Sequence, residues 1–514
     1  MSDAMIHLSR YHRRNTLRSP SPFTSPSPSK KGKDIVILGS GWSAQSFVKI
    51  INDQNPHVNS ITLVSPLNYF LFTPLLLSAS VGTVEIRSIV EPIRSCNPIV
   101  DHIEGSAYKI DHKKKLVHLT PNLIDDPSHI ENVTIPYDQL IVSVGEEATV
   151  RNVPGAALCS LPLKTAQDAQ KLRTCIVNAF ERGVLASRKK QSNKNWSQEV
   201  KHLLTFVVVG GGPTGLEFCG ELYDFLSNDA GKLYPEIINY AKVVLVDSGR
   251  TSDLDPFKKL LKEKGLQKLN SRKGVGLAKE RVMSVSGSGP KGNEPPFQVV
   301  FEGSEVVNCG TVVWAGGTAP RAIVADLISE LNFGKDADGK ELYRKLPVDE
   351  YMRVKNVEDG SILALGDNAL FLDAGPRGLP PTAAVAAQQG PYVARLINRN
   401  YDLSVGCSSI SNSNTNASLS CSPPQLKKDS LISVFSHLAP KFSFSDFGAM
   451  NYLGGDEAII ATNLLDNDFS LQGGIAFLLW RSVYIVKQVS FRNRFLVTLD
   501  FFKSKLVGRD TSRF

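Results

Sequence analysis

At 514 residues, 42% of them hydrophobic and 21% charged, the chain has room for two or three buried cores and is too apolar to be wholly disordered. Its net charge of +8 sits at the ends: residues 1–33 carry +6 and residues 480–514 carry +6, leaving −4 for the middle. That argues against a nucleic-acid groove, and seven scattered cysteines with no Cys-x-x-Cys pair argue against a disulfide framework or a zinc site of the usual spacing.

The first 33 residues are rich in Arg, Ser and Pro and nearly free of acid. This composition suits an organellar transit peptide with a linker, or more plainly a basic tail with no address. The folded part opens with KDIVIL as a buried strand, followed by Gly39-Ser40-Gly41-Trp42-Ser43-Ala44, which reads G-x-G-x-x-A. In such a turn one glycine allows the tight bend, the next lets the backbone approach a pyrophosphate, and a small last residue permits close helix packing. The following strand ends in Ser65, where an acid normally receives a ribose.

Asn68 to Glu85 is apolar and aromatic, and Pro74 interrupts any long helix there. It is either a core loop or a wall against a flat cofactor, with Pro74 fixing the backbone beside a ring. Tyr137 to Ala148 reads as a short strand ending at Gly145, where the backbone can pass close to a nucleotide. Residues 161–185 read as helix and residues 186–202 as a solvated polar loop.

A second unit starts at Thr205 with TFVVVGGGPTGLEFCGE, in which Gly210, Gly212 and Gly215 repeat the fingerprint. Asp247 ends the next apolar run. A carboxylate there accepts hydrogen bonds from ribose hydroxyls and repels a 2′-phosphate. Strand and glycines at 311–317 echo those ending at Gly145, so the chain carries two nucleotide sites. Residues 251–296 contain a Lys-rich helix-like part and then a Gly-Ser-Pro loop at 286–296.

Ser361 to Phe371 is a strand ending in Gly366-Asp367. The carboxylate suits the ribityl or pyrophosphate part of a flavin, or equally a helix N-cap. The small-residue helix after it contains Gln388 and Gln389, and residues 402–430 are Ser/Asn-rich low complexity. A small antiparallel sheet is expected next. From Gly474 two helical patterns follow. Phe477, Leu478, Trp480, Tyr484 and Ile485 share one surface, while Phe491, Phe495, Leu499, Phe502 and Leu506 form a stripe accompanied by Arg492, Arg494, Lys503 and Lys505. A basic, aromatic amphipathic end suits an anionic membrane face, the alternative being a helix docked on the protein's own core.

The expected fold is α/β, with two Rossmann-like dinucleotide-binding domains and a C-terminal amphipathic helical region that anchors to membrane. Its parts are a leader (1–33), the first part of an FAD domain (34–185), a polar loop (186–202), an NADH domain (203–320), the second part of the FAD domain (321–401), the low-complexity insertion (402–430) and the C-terminal region (431–514).

The ordered set GSGWSA, SPLNYFLFTPLL, VVVGGGPTGLEF, VVWAGG, LALGDNA, LPPTAAVAAQQG and the ending LLWRSVYIVKQVSFRNR…GRDTSRF resembles the mitochondrial-type type II NADH dehydrogenases, the alternative NADH:ubiquinone oxidoreductases. The resemblance implies that FAD lies on Gly39, Gly41, Pro74, Gly145 and Asp367, and NADH on Gly210, Gly212, Gly215 and Asp247. It implies that Glu217 lies beside the nicotinamide, and that Gln388, Gln389 and Trp480 border the quinone, with Glu217 and Gln388 as catalytic residues. It further implies a non-proton-pumping enzyme held peripherally on the mitochondrial inner membrane, with ubiquinone and membrane lipid as partners and a homodimer left open. The chain departs from the family pattern at Leu67, Thr165, Gln167 and Ala384. No resident metal is expected, and the lack of a D-x-D-x-D-G loop of the calcium-binding type argues against regulation by an inserted EF-hand. The competing readings are a sulfide:quinone reductase-like enzyme and an NADH-binding flavoprotein that signals through a partner.

Overall fold

The structure is a computed structural model, and it describes residues 32–52, 55–122, 132–150, 152–249, 256–288, 292–335, 339–404, 424–426, 438–462 and 469–513. The proposed leader and most of the 402–430 insertion lie outside the described residues.

Two parallel sheets organise the chain. In the first, the order is Ile362–Ala364, Gln139–Val142, β1 (Lys33–Leu38), Val58–Ser65, Val100–Asp111, Leu116–Pro121 and Val133–Pro136. The first five strands run parallel and the last two add on antiparallel. The second sheet has the order Leu161–Pro162, Thr311–Trp314, β2 (Thr205–Val209), Lys242–Val246 and Val275–Ala278, all parallel. Strands buried on both faces read as unbroken apolar runs, as IVIL of β1 and FVVV of β2 do. In both sheets the chain leaves the first strand for one side and later returns to its other side. The carboxyl ends of β1 and β2 are therefore switch points, where an open α/β sheet offers a crevice.

Helix α1 (Trp42–Ile50) follows β1 and buries Ala44, Phe47 and Val48. Three expectations about the middle of the chain are corrected. Residues 186–202 are not all loop, because Trp196–Leu203 is a helix. Trp196, Val200 and Leu203 recur at i, i+4 and i+7, and that face packs inward while the charged residues between them stay outside. The helix expected at 161–185 forms as α2 (Ala166–Arg188), and Leu161–Pro162 is an edge strand of the second sheet. Phe180 of α2 stacks at 6.3 Å on Phe206 of β2, so the hand-over from the first unit to the second comes before residue 161 rather than at 185. The 286–296 loop is short: Val282–Ser288 and Glu294–Phe301 pair antiparallel, joined by Val306–Cys309 on the far side. Val285, Val299 and Phe301 cover the face of the second sheet that carries Val207, Val209 and Val244.

Helix α3 (Pro213–Phe225) follows β2, and α4 (Ala383–Asn398) runs beside α1. The small antiparallel sheet forms as Ala449–Tyr452, Ala458–Thr462 and Phe469–Gly473. Helices α5 (Gly474–Val486) and α6 (Phe491–Leu506) follow it. The stripe expected on α6 is fully outward: Phe491, Phe495, Leu499, Phe502 and Leu506 are all exposed. On α5 the single expected surface divides. Phe477 and Trp480 turn inward onto Tyr452, whereas Leu478 faces out with Ile475 and Leu479. Among the described residues no helix is long and apolar enough to cross a membrane.

Candidate functional site

A cavity of about 700 Å³ lies where the carboxyl edges of the two sheets face one another. Its floor is the first glycine turn. Gly39 has φ +100°, and a Cβ there would lie 2.3 Å from the carbonyl oxygen of Ser143, so the strand-to-helix bend needs glycine. Gly41 and Gly145 also line the cavity, and a Cβ on either would meet no protein atom within 4 Å. Gly41 is the N-cap of α1 and carries no side-chain cap. The first-turn N–H groups of α1 are thereby left to an anion. The Gly145 N–H donates to Asn368 Oδ1 at 2.9 Å, which fixes the second backbone segment against the same space.

Ser65 lines the cavity at the end of its strand, its Oγ 2.8 Å from Ser40 Oγ. Pro74 and Leu77 form part of the apolar wall, behind which Phe70 and Phe72 are buried. Asp367 lines the far side together with Lys164. Burial pushes the Asp367 carboxyl up and the Lys164 ammonium down, and each is partly held in its charged form by the other. Asp367 caps no helix, for α4 is capped by Thr382, whose Oγ1 accepts from Val385 N–H. The N-cap alternative for Asp367 is thus removed. Lys164 was missed in the sequence, where nothing but the Leu-Lys before a helix start marked it.

The second turn repeats this geometry. Gly210 has φ +122°, Gly212 faces open space as the uncapped start of α3, and a Cβ on Gly215 would lie 1.9 Å from the Gly210 carbonyl oxygen. A Cβ on Gly211 would lie 2.7 Å from the Asp247 Cβ, so that acid sits directly against the turn. Its Oδ1 accepts from Lys262 Nζ at 2.8 Å, and both residues are buried. The sequence reading did not pick out Lys262, one of several lysines on the Pro256–Asn270 helix.

Glu217, one turn into α3, reaches the cavity wall along with Pro213 and Thr214. Burial pushes its carboxyl up to about 8, opposed by a hydrogen bond from the Tyr452 N–H at 3.2 Å. Glu221 and Asp224 continue the same face of α3 at i+4 and i+7, and burial raises both. Ser78 and Thr83 hydroxyls donate to Glu221 at 2.6 and 2.8 Å, and the Tyr452 hydroxyl donates to Asp224. Arg509, from the chain's last residues, pairs with Asp229 at 2.6 Å and lies 3.8 Å from Glu221. Sequence reasoning noted the GRDTSRF ending as a signature and could not see that its arginine neutralises buried acids on the second unit.

The two glutamines do not reach the cavity. Gln388 donates to the Ser445 carbonyl at 2.9 Å and accepts from the Ser445 N–H at 3.0 Å, so its amide is spent on backbone. Gln389 is buried and accepts from the Gly366 N–H at 2.6 Å, holding the turn that carries Asp367. The side chains of α4 that do line the cavity are Ala383 and Ala386, one turn earlier. Trp480 is also behind the wall, 5.1 Å from Tyr452 and 4.8 Å from Tyr484, and Tyr484 is the residue of α5 that lines the cavity. No cysteine lines it among the described residues.

Two glycine turns with uncapped helix starts, a cavity between them and a carboxylate at its far wall fit a flavin on the first turn and a second dinucleotide on the other. The class is that of the two-dinucleotide-binding flavoproteins.

Known proteins bear this out. The model of the pyridine nucleotide-disulphide oxidoreductases matches residues 33–390, and that of the NDH2 C-terminal domain matches residues 447–510. The chain is 33% identical to external NADH-ubiquinone oxidoreductase 2, mitochondrial, of Saccharomyces cerevisiae, over 94% of this chain and 82% of that one. It is 34% identical to the external alternative NADH-ubiquinone oxidoreductase, mitochondrial, of Yarrowia lipolytica, over 97% and 83%. The structure of NDH2 from Plasmodium falciparum in complex with NADH superposes with a TM-score of 0.72 over 94% of this chain and all of that one, at 20% identity, a likeness of fold. A sulfide:quinone oxidoreductase from Aquifex aeolicus shares the fold less closely, with a TM-score of 0.56 at 15% identity over 93% of this chain and 96% of that one. The chain belongs to the pyridine nucleotide-disulphide oxidoreductase family and, within it, to the mitochondrial-type type II (alternative) NADH:ubiquinone oxidoreductases.

Proposed function

We propose that this chain oxidises NADH at the second turn and reduces ubiquinone, through FAD held on the first, without pumping protons. Bound there, FAD would supply the redox chemistry, namely the capacity to accept a hydride and to release two electrons. The observation that carries the reading is that Gly41, Gly145 and Asp367 from the first unit and Thr214 and Glu217 from the second line one cavity. Gly39, Gly41 and the start of α1 would hold the pyrophosphate of FAD, Pro74 and Gly145 would border its ring system, and Asp367 would accept from its hydroxyls. Gly210, Gly212, Gly215 and the start of α3 would hold NADH, with Asp247 at the adenine ribose.

Quinone reduction consumes one proton beyond the hydride. Glu217, protonated up to about pH 8, holds a proton at the wall between the two ligands. The quinone would contact Ala383, Ala386, Met450 and Tyr484, which line the cavity, rather than Gln388, whose amide is bound to Ser445. The absence of a cysteine from that wall, among the described residues, favours this reaction over sulfide or disulfide chemistry.

The exposed apolar stripe of α6, beside Arg492, Arg494, Lys503 and Lys505, would lie on anionic lipid, making this a peripheral protein of the mitochondrial inner membrane. A second copy of the chain is the other occupant that such a stripe could take. Flotation with cardiolipin-containing vesicles, compared with the oligomeric state in detergent, separates the two.

NADH oxidation by the purified flavin-loaded protein, with and without a short-chain ubiquinone, tests the activity. Strong dependence on quinone is expected. Flavin bleaching by NADH with no acceleration by quinone would instead favour the signalling flavoprotein.

A further inference from the structure

The cavity wall carries an ammonium that neither glycine turn accounts for. Lys164 lines the cavity beside Asp367, where the second unit meets the first. Its backbone is fixed from both sides. Leu161–Pro162 before it pairs with Val313–Trp314 at the edge of the second sheet. The N–H groups of Lys164 and Thr165 donate to Asp168 Oδ2 at 3.1 and 2.8 Å, in the capping box that opens α2.

The charges around this residue do not cancel. Glu146 is matched by Lys345 at 3.5 Å and by the Thr318 hydroxyl, which donates to it at 2.6 Å. Arg321 donates through Nε to the Val144 carbonyl at 2.9 Å. Among the described residues the Lys164 ammonium has no ion pair or hydrogen bond, and the Asp367 carboxylate has none either, so both face whatever the cavity holds. Three cations, Lys164, Arg321 and Lys345, thus stand against two acids, Glu146 and Asp367, and the wall keeps an excess of one positive charge. Burial pushes the Lys164 ammonium down, while Asp367 and Glu146 oppose this by favouring its charged form.

We propose that Lys164 is a catalytic residue, the positive charge against which the flavin is reduced. The inference rests on the reading of this cavity as the flavin site. A hydride brings two electrons and one proton, so its arrival from NADH adds one negative charge to the occupant of the cavity. Its departure to the quinone, as two electrons and a proton, removes that charge. A cation held in place away from bulk water favours the charged side of this exchange without having to reorganise. Asp367 alone would oppose it, and the excess of positive charge on the wall is what Lys164 adds. By strand and helix Lys164 belongs to the second unit, so the unit that would bind NADH also supplies the charge that favours loss of its hydride.

A lysine whose only part is structural would, once removed, cost stability or flavin content and leave the potential of the remaining bound flavin as it was. A catalytic charge moves that potential.

The test uses the full chain with bound FAD, as native protein, Lys164→Met and Lys164→Arg. The midpoint potential of the flavin is read from its visible absorbance during reduction by dithionite against reference dyes, so neither NADH nor quinone takes part. Lys164→Met should lower the equilibrium constant for two-electron reduction by about tenfold or more, a fall of about 30 mV or more, and Lys164→Arg should restore most of it. An unchanged potential in Lys164→Met, or a fall that Lys164→Arg does not reverse, overturns the proposal.

The native protein decides the question if Lys164→Met does not keep its flavin. With the positive charge in place, reduction should take up one proton per two electrons, so the potential should fall by about 30 mV per pH unit between about pH 5 and about pH 6.5. Glu217, raised to about 8, keeps its proton across this range. A slope about twice as steep, two protons per pair of electrons, overturns the proposal. Because the potential is measured without NADH or quinone, it stands even if quinone reduction fails, and the two conclusions fall separately.

Discussion

The two glycine turns have nearly the same backbone and opposite surroundings. At both, the first glycine has positive φ, at +100° for Gly39 and +122° for Gly210, and the second, Gly41 or Gly212, faces open space. At the last position the turns part: Ala44 is tolerated in one, while in the other a Cβ on Gly215 would lie 1.9 Å from the Gly210 carbonyl. Their sugar-binding edges differ as well. Ser65 ends the first strand pair against Ser40, and Asp247 ends the second against Lys262. The first turn forms the floor of a cavity that segments from both units and from the C-terminal region complete, whereas the second turn and its helix border that cavity only through Pro213, Thr214 and Glu217. Duplicated backbone geometry is thus set in two different surroundings, one turn lying within the cavity and the other mostly outside it.

Substitutions at matched positions can break this comparison. The largest effect is expected from Gly41→Val and Gly215→Ala, by different routes. Gly41→Val should fold, since nothing of the protein stands in its way, and should purify without flavin, as read from its visible absorbance. Gly215→Ala should cost about 3 kcal/mol in chemical denaturation, because its methyl collides with backbone, and should keep whatever flavin the folded fraction binds. If Gly215→Ala instead lost flavin while NADH binding survived, the assignment of the two turns would be reversed.

Next in size is Glu217→Gln. The Glu217 carboxyl is raised to about 8 from an ordinary 4.5, so between these values the folded chain keeps a proton that the unfolded chain has released. Stability therefore falls as pH rises across that window, by up to about 1.4 kcal/mol per unit for this group. Glu221 and Asp224 are raised as well and add slope of the same sign. Urea melts at several pH values should show Glu217→Gln losing one proton's share of the slope. An unchanged slope would place the titrating proton elsewhere in the acid cluster.

The smallest effects separate the two edges. Ala44→Gly should cost about 1 kcal/mol, the ordinary price of glycine inside a helix, in contrast to the large penalty at the matching Gly215. Ser65→Ala should lose about 1 kcal/mol with its hydrogen bond to Ser40 and leave flavin content nearly intact, since a serine there does not take the part of a ribose-binding acid. Substantial flavin loss in Ser65→Ala would show that this serine holds the sugar after all.

Much of the fold could be read along the chain because its signals are local. A strand buried on both faces is an apolar run, a phosphate turn requires glycine at set offsets, and an outward stripe on α6 keeps helical spacing. The Trp196–Leu203 helix was misread because its polar face outnumbers its three inward residues, and inwardness is a property of what lies opposite. The 282–309 sheet was missed for a similar reason, since its strands alternate weakly and are stabilised by pairing with one another.

By itself the sequence determined the two dinucleotide units and their glycine turns and, through the resemblance its motifs carry, the family to which the chain belongs. Tertiary structure alone decided which side chains share the cavity. Gln388 and Gln389 are adjacent on one helix, about 100° apart, and only packing turns one to Ser445 and sets the other behind Gly366, so that neither lines the cavity. Lys262 reaches Asp247 across 15 residues and Arg509 reaches Asp229 across 280. Such pairs form because burial makes an unpartnered charge costly, and the partner that satisfies it is chosen by proximity in space, which no local pattern in the chain encodes.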